Sequence, residues 1–163
     1  MTSSEQKMLL IPFTLQAIAM AVDEGYFHRK RGLPKWERIG HPVDTLSVIF
    51  ALCIPRFIAP GANALLAYSI ASIGSCILIT KDEWIHKKYC PATENWLHSV
   101  LFILHPICLM SAGKLWISEV SWAKGFLSGE LLLLILASLF QIIYWSWVWE
   151  RKKDPLKTPS TIN

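Results

Sequence analysis

From residue 126 to residue 149 the chain carries a single charged side chain, Glu130, in a run otherwise dominated by Leu, Ile and Phe and closed by Trp145, Trp147 and Trp149. A helix rises only about 1.5 Å per residue, so crossing a bilayer takes about 20 predominantly apolar residues. A segment this long and this apolar is out of place on a water-soluble domain, and it sets the class of fold. The composition agrees. Of the 163 residues 53% are hydrophobic and 17% charged, against about 25% charged in an ordinary soluble domain.

Four further apolar runs precede it, at residues 8–22, 45–59, 64–80 and 96–116. Pro60, Gly61, Ala62 and Asn63 mark a turn between the second and third. The first run is short for a span, although Tyr26 and Phe27 extend it into the interface. Ala19-Met20-Ala21 has the look of a signal-peptide cleavage site. An internal run, residues 70–80, leads into polar sequence in the same way, and that run cannot be a signal. The expectation is therefore an all-α integral membrane protein of about five transmembrane helices. Its first four form an internally duplicated bundle, a parallel repeat. Repeat one covers about 8–59 and repeat two about 64–117, together making a unit over 1–117. Residues 126–149 form the fifth helix, and residues 150–163 a disordered tail.

The duplication shows in two polar boxes, residues 23–44 and 81–106. Each opens with an Asp-Glu pair and a histidine: Asp23, Glu24 and His28, then Asp82, Glu83 and His86. A basic pair, a proline, a Trp close to a Glu and a second histidine follow. Glu37 precedes His41 as Glu94 precedes His98. All five histidines and seven of the twelve acids lie in these boxes. The copies differ in one respect: three residues separate Glu24 from His28, and two separate Glu83 from His86.

Lys and Arg fix the expected orientation. With five spans, twelve of them fall on the face holding both boxes and the C-terminus, and only Lys7, Arg56, Lys114 and Lys124 on the other. The boxes and the tail are thus expected in the cytoplasm, with the protein in a bacterial inner membrane. Basic residues placed this way mark topology, and they give no reason to expect nucleic acid as a partner.

Residues four apart on a helix share a face, so an acid and a histidine at that spacing can hold one ion. Glu24 with His28, Glu37 with His41, Asp82 with His86 and Glu94 with His98 offer this repeatedly, and these eight are the expected metal ligands. The choice between Asp23 and Glu24, and between Asp82 and Glu83, stays open. Asp44, on the face of His41, and His105 are the expected catalytic groups, as proton relay or outer support. His105 lies about 10 Å beyond His98 at the helical rise, and an ionisable residue inside a span is by default a functional hypothesis. Carboxylates and imidazoles without thiolate suit iron, manganese or hydrolytic zinc. Cys53, Cys76, Cys90 and Cys108 show neither CxxC nor paired spacing, which excludes a zinc finger and a disulfide framework. Di-iron carboxylate proteins use the same ligand class, but with Glu and His three apart. Membrane fatty-acid desaturases use HxxxH and HxxHH clusters, which this chain lacks. The likeness is in ligand chemistry, not in family.

A plainer explanation competes for each piece. An acid beside a histidine near a helix end is often a cap or a solvated pair, worth about 0–1 kcal/mol. The repetition of the pairs in duplicated order favours a site. The expected function is a non-haem di-iron oxidoreductase of hydroxylase or desaturase type, with two Fe ions, acting on a membrane lipid or lipid-soluble substrate at the cytoplasmic face. Zn or Mn could replace iron. The alternatives are a zinc-dependent membrane hydrolase and a non-enzymatic metal-binding or assembly protein, and a homo-oligomer or a membrane-protein partner is compatible with each. No Gly-rich phosphate loop or GxSxG elbow occurs, which speaks against nucleotide-driven and serine-hydrolase chemistry. Gln16, Asn63 and Gln141 are too isolated to line a transport path.

Overall fold

The computed structural model describes residues 2–82 and 90–148, without the side chains of residues 82 and 148. Among the described residues every regular element is helical. The first rod joins α1 (Ser3–Met8) and α2 (Ile11–Val22) through a π-helical turn, Asp23–His28, to the short α3 (Arg29–Arg31). Gly32 ends it at φ 79°, a left-handed conformation that a side chain would disfavour. Then follow α4 (Lys35–Phe57), α5 (Ala62–Leu78) with a 3-10 turn at Ile79–Asp82, α6 (Ala92–Ile117) and α7 (Ala123–Ile143), which passes into a second π-turn at Tyr144–Val148.

Four helical stretches are long and apolar enough to cross a membrane: Ser3–Arg31, Ala62–Lys81, Ala92–Ile117 and Ala123–Trp147. α4 is as long as these at 23 residues, but Lys35, Glu37, Arg38, Asp44 and Arg56 lower its hydropathy. The apolar run expected at residues 45–59 therefore belongs to a longer helix, which carries the second half of box one on its first turns.

α4 lies between α7 and α5, and α2 packs along α6. Ala51 and Ala112 are completely enclosed where α4 meets α6. Small side chains there let the backbones approach closely, the usual source of helix association where lipid removes the hydrophobic drive. Phe13, Leu52, Cys108, Leu109, Leu127 and Leu131 complete this central cluster. At the end away from the boxes, Leu9 and Leu10 pack on Leu115, Val120 and Ala123, and Trp116 Nε1 donates to Ile58 O at 2.9 Å. Phe50, Phe57, Ile70, Ile77 and Trp96 stand out from the bundle, each more than two-thirds or nearly two-thirds exposed. Apolar surface on that scale suits lipid and not water. All four cysteines are free thiols.

α5 and α6 meet through a ring set on a glycine. The Tyr68 hydroxyl donates to Leu109 O, and a Cβ added to Gly113 would stand 2.9 Å from Tyr68 Cε1. Gly113→Val is expected to destabilise the bundle by about 1–3 kcal/mol through overpacking. Thermal unfolding in detergent reads this as a lower Tm, and the loss should shrink in a Tyr68→Ala background.

Candidate metal centre

α4 and α6 begin alike. Pro34 and Pro91 are their N-caps, with φ −58°, ψ 156° and φ −65°, ψ 157°; a residue without an N–H loses nothing at this position. Glu37 and Glu94 each follow three residues later, in the first turn, where a carboxylate meets the positive end of the helix dipole. His41 and His98 each follow four residues after that. Both glutamates are fully enclosed, at 0% exposure, and Arg31 joins them. Its Nη2 donates to Glu37 Oε2 and to Glu94 Oε1, both at 2.8 Å. Its Nη1 reaches Glu37 Oε1 at 3.3 Å and its Nε reaches Glu94 Oε1 at 3.2 Å. A planar guanidinium can serve two carboxylates at once, which a lysine ammonium does less well.

The π-turn supplies the other half. Its wider coil brings residue i level with i+5, so that Asp23 and Glu24 both reach His28. Asp23 Oδ2 lies 3.2 Å from His28 Nε2, and Glu24 Oε2 lies 3.1 Å from Nδ1. Across the bundle, His98 Nε2 stands 3.1 Å from Asp23 Oδ1, and Glu94 Oε1 stands 3.9 Å from His28 Nε2. The His41 ring meets the His28 ring edge to face at 4.7 Å between centroids. Trp145 Nε1, from the second π-turn, donates to Glu24 Oε1.

Asp23, His28, Glu94 and His98 are all buried, and each can offer one ligand atom within 4.8 Å of the others. Glu24, His28 and His41 form a second such group. His28 Nε2 is buried without a well-aligned hydrogen bond, and a buried polar atom left in that state costs about 1–3 kcal/mol. A cation among the four residues would satisfy it. Glu24 on the other ring nitrogen then has the part of the carboxylate that orients a metal-bound histidine. Since Glu24 takes Nδ1–H, His28 has one nitrogen to give, and the four-residue group is the more complete of the two.

The expected residues are distributed as follows. His28, Glu94 and His98 come together with Asp23, while Glu24 and His41 adjoin them around His28. Glu37 belongs to neither group and is held by Arg31. Asp44 accepts from Lys81 Nζ at 2.6 and 2.7 Å, and His105 Nε2 is 3.0 Å from Ser75 Oγ. The Asp82 side chain and His86 lie outside the described residues. Burial pushes the Cys90 thiol up to about 12.

Two contributors escape the sequence reading, Arg31 and Trp145, while Asp23 was one of the two acids between which it left the choice open. Asp23 is five residues before His28, the separation that the π-turn brings level. Arg31 looks like any interfacial arginine until α6 arrives, and Trp145 like any belt tryptophan.

A cavity of about 350 Å³ opens beside the centre. Asp23, Glu24, His41 and His98 line one end, apolar side chains such as Phe13, Leu52 and Phe102 line its length, and Glu130 lies toward the other end. Thr45 Oγ1 and Gln141 Oε1, 3.3 Å apart, place one polar pair on its wall.

Removing Arg31 would take the guanidinium away from two enclosed carboxylates. Arg31→Gln is expected to cost about 3–5 kcal/mol and Arg31→Lys less, compared by thermal unfolding of the purified variants. No protein-family model matches this chain, and no curated protein or solved structure is detectably similar to it.

Proposed function

We propose that the protein is a metal-dependent membrane oxidoreductase. It would hold non-haem iron between Asp23, His28, Glu94 and His98 and act on a lipid or lipid-soluble substrate lying in the cavity. One observation carries this reading: a buried group of two imidazoles and two carboxylates, in which His28 Nε2 faces Asp23 and Glu94 without a well-aligned hydrogen bond, at one end of a mostly apolar cavity. Such a ligand set suits iron(II), and the bound metal would supply the oxidising chemistry. The chain supplies the rest. Asp23 and Glu94 offset the cation's charge, Glu24 fixes the His28 tautomer, and Arg31 holds Glu94 in place. His41, on the cavity wall beside His28, is placed to move a proton, and Asp44 lies further along the same wall.

In this reading five helices cross the membrane as two copies of helix, box and helix plus α7. The charges of α4 suit a crossing because Lys35, Glu37 and Arg38 lie at one end, Arg56 at the other, and Asp44 is paired with Lys81. The excess of Lys and Arg at the box end puts the centre at the cytoplasmic face.

Elemental analysis of protein purified in detergent without chelator tests the proposal. About one iron per chain is expected from the four-residue group, and two would require His28 to bridge both groups as an imidazolate. The metal should be lost in an Asp23→Asn, His98→Ala double variant and kept in His105→Gln. Glu24→Gln should weaken metal affinity about 10–100-fold. Zinc in place of iron would turn the reading to hydrolysis by a bound water. A metal-free protein would overturn it.

A further inference from the structure

Three side chains on three helices form a chain of hydrogen bonds away from the metal centre, and its direction can be worked out. Ser47 Oγ lies 2.7 Å from Asp44 O. A carbonyl only accepts, so Ser47 donates its single proton there. Ser75 Oγ lies 2.7 Å from Ser47 Oγ; the Ser47 proton is committed, so Ser75 must be the donor. His105 Nε2 lies 3.0 Å from Ser75 Oγ; the Ser75 proton is committed in turn, so Nε2 carries a proton and donates it. Every step has one solution because a hydroxyl holds one proton and the chain ends on a backbone carbonyl.

His105 is therefore the Nε2–H tautomer. Nothing bonded to it would stabilise a second proton, and an unpaired imidazolium in an apolar wall is costly. Nδ1 is left as a bare acceptor. Among the described residues it has no hydrogen-bond partner, and His105 lines the cavity. Its neighbours on that wall are apolar: Leu101, Phe102, Cys108 and Leu109. An acceptor fixed in such a wall must be met by a donor from whatever fills the cavity, or stay unsatisfied at a cost.

We propose that His105 Nδ1 is a recognition point for the hydroxyl of a lipid-soluble alcohol, held in a single tautomer by Ser75 and Ser47. This deepens the reading of the cavity as a lipid-substrate site and rests on it, but does not depend on the metal. His105 follows His98 by seven residues, about 10 Å along the helix. The alcohol's apolar chain would run from a hydroxyl at His105 toward the metal centre. Esters, ketones and ethers bring only lone pairs to Nδ1, and a site built around a hydrogen bond rejects an analogue that cannot make it.

The test is nitrogen-15 NMR on histidine-labelled, metal-free protein in phosphatidylcholine nanodiscs, with His105 assigned from the His105→Gln variant. The wild type should show His105 protonated on Nε2 and bare on Nδ1. Dodecanol should shift the Nδ1 resonance, and its methyl ether should not. His41 and His98 line the same cavity, so their resonances report occupancy independently. Ser75→Ala should give a mixture of tautomers and a weaker response to dodecanol; if that variant does not fold, the wild-type comparison of alcohol with ether still decides. A His105 protonated on Nδ1 would overturn the proposal. Equal responses to alcohol and ether, with His41 and His98 perturbed by both, would keep the cavity as a lipid site and overturn the acceptor. No response of any histidine to either compound would overturn the lipid site and the acceptor together. Metal content, measured separately, does not enter either outcome.

Discussion

Glu37 and Glu94 are carboxylates shut away from solvent, and a buried charge is tolerated only when paired and hydrogen-bonded. Arg31 is the partner of both. Its guanidinium holds the first turn of α4 against the first turn of α6, and thereby sets how those helices begin relative to each other. His41 and His98 stand at matching positions along them, so the clamp on the glutamates also brings two imidazoles close to His28. Much of the polar end of the bundle depends on this one three-way contact.

Two π-turns complete that end. The first widens the coil at Asp23–His28 and turns two successive acids onto one imidazole, one per ring nitrogen. The second, at Tyr144–Val148, brings Trp145 beneath them, enclosed at 1% exposure and donating to Glu24. Both locally give up α-helical geometry for placement, as π-turns at functional sites commonly do. The acids are thereby fixed by donors on two other elements. A metal ion bound there would need that rigidity, because a loose shell holds an ion poorly.

Away from the centre, the interior is stitched by few polar contacts. Ser47, Ser75 and His105 link α4, α5 and α6, and Thr45 with Gln141 links α4 and α7. In an apolar interior such bonds have little competition from water, and small residues such as Ala51, Ala112 and Gly113 let the helices come close enough to make them. The cavity wall is mostly apolar surface, so the polar groups that line it stand out as points where a ligand could be read.

The sequence by itself determined the class of fold, because apolar runs of this length admit membrane-crossing helices and little else, and it marked the two boxes as the polar chemistry of the chain. The i,i+4 spacing of Glu24 with His28 and of Glu94 with His98 was legible because a helix puts such residues on one face whatever surrounds it. Between Asp23 and Glu24 the sequence left the choice open, and the π-turn brings both onto His28. The tertiary structure decided the rest. Glu37 has the same spacing to a histidine as Glu94, yet it is held by Arg31 outside either metal-capable group, and Asp44 is held by Lys81. Spacing along a helix says which side chains share a face; which partner meets that face is settled by the other helices that arrive there.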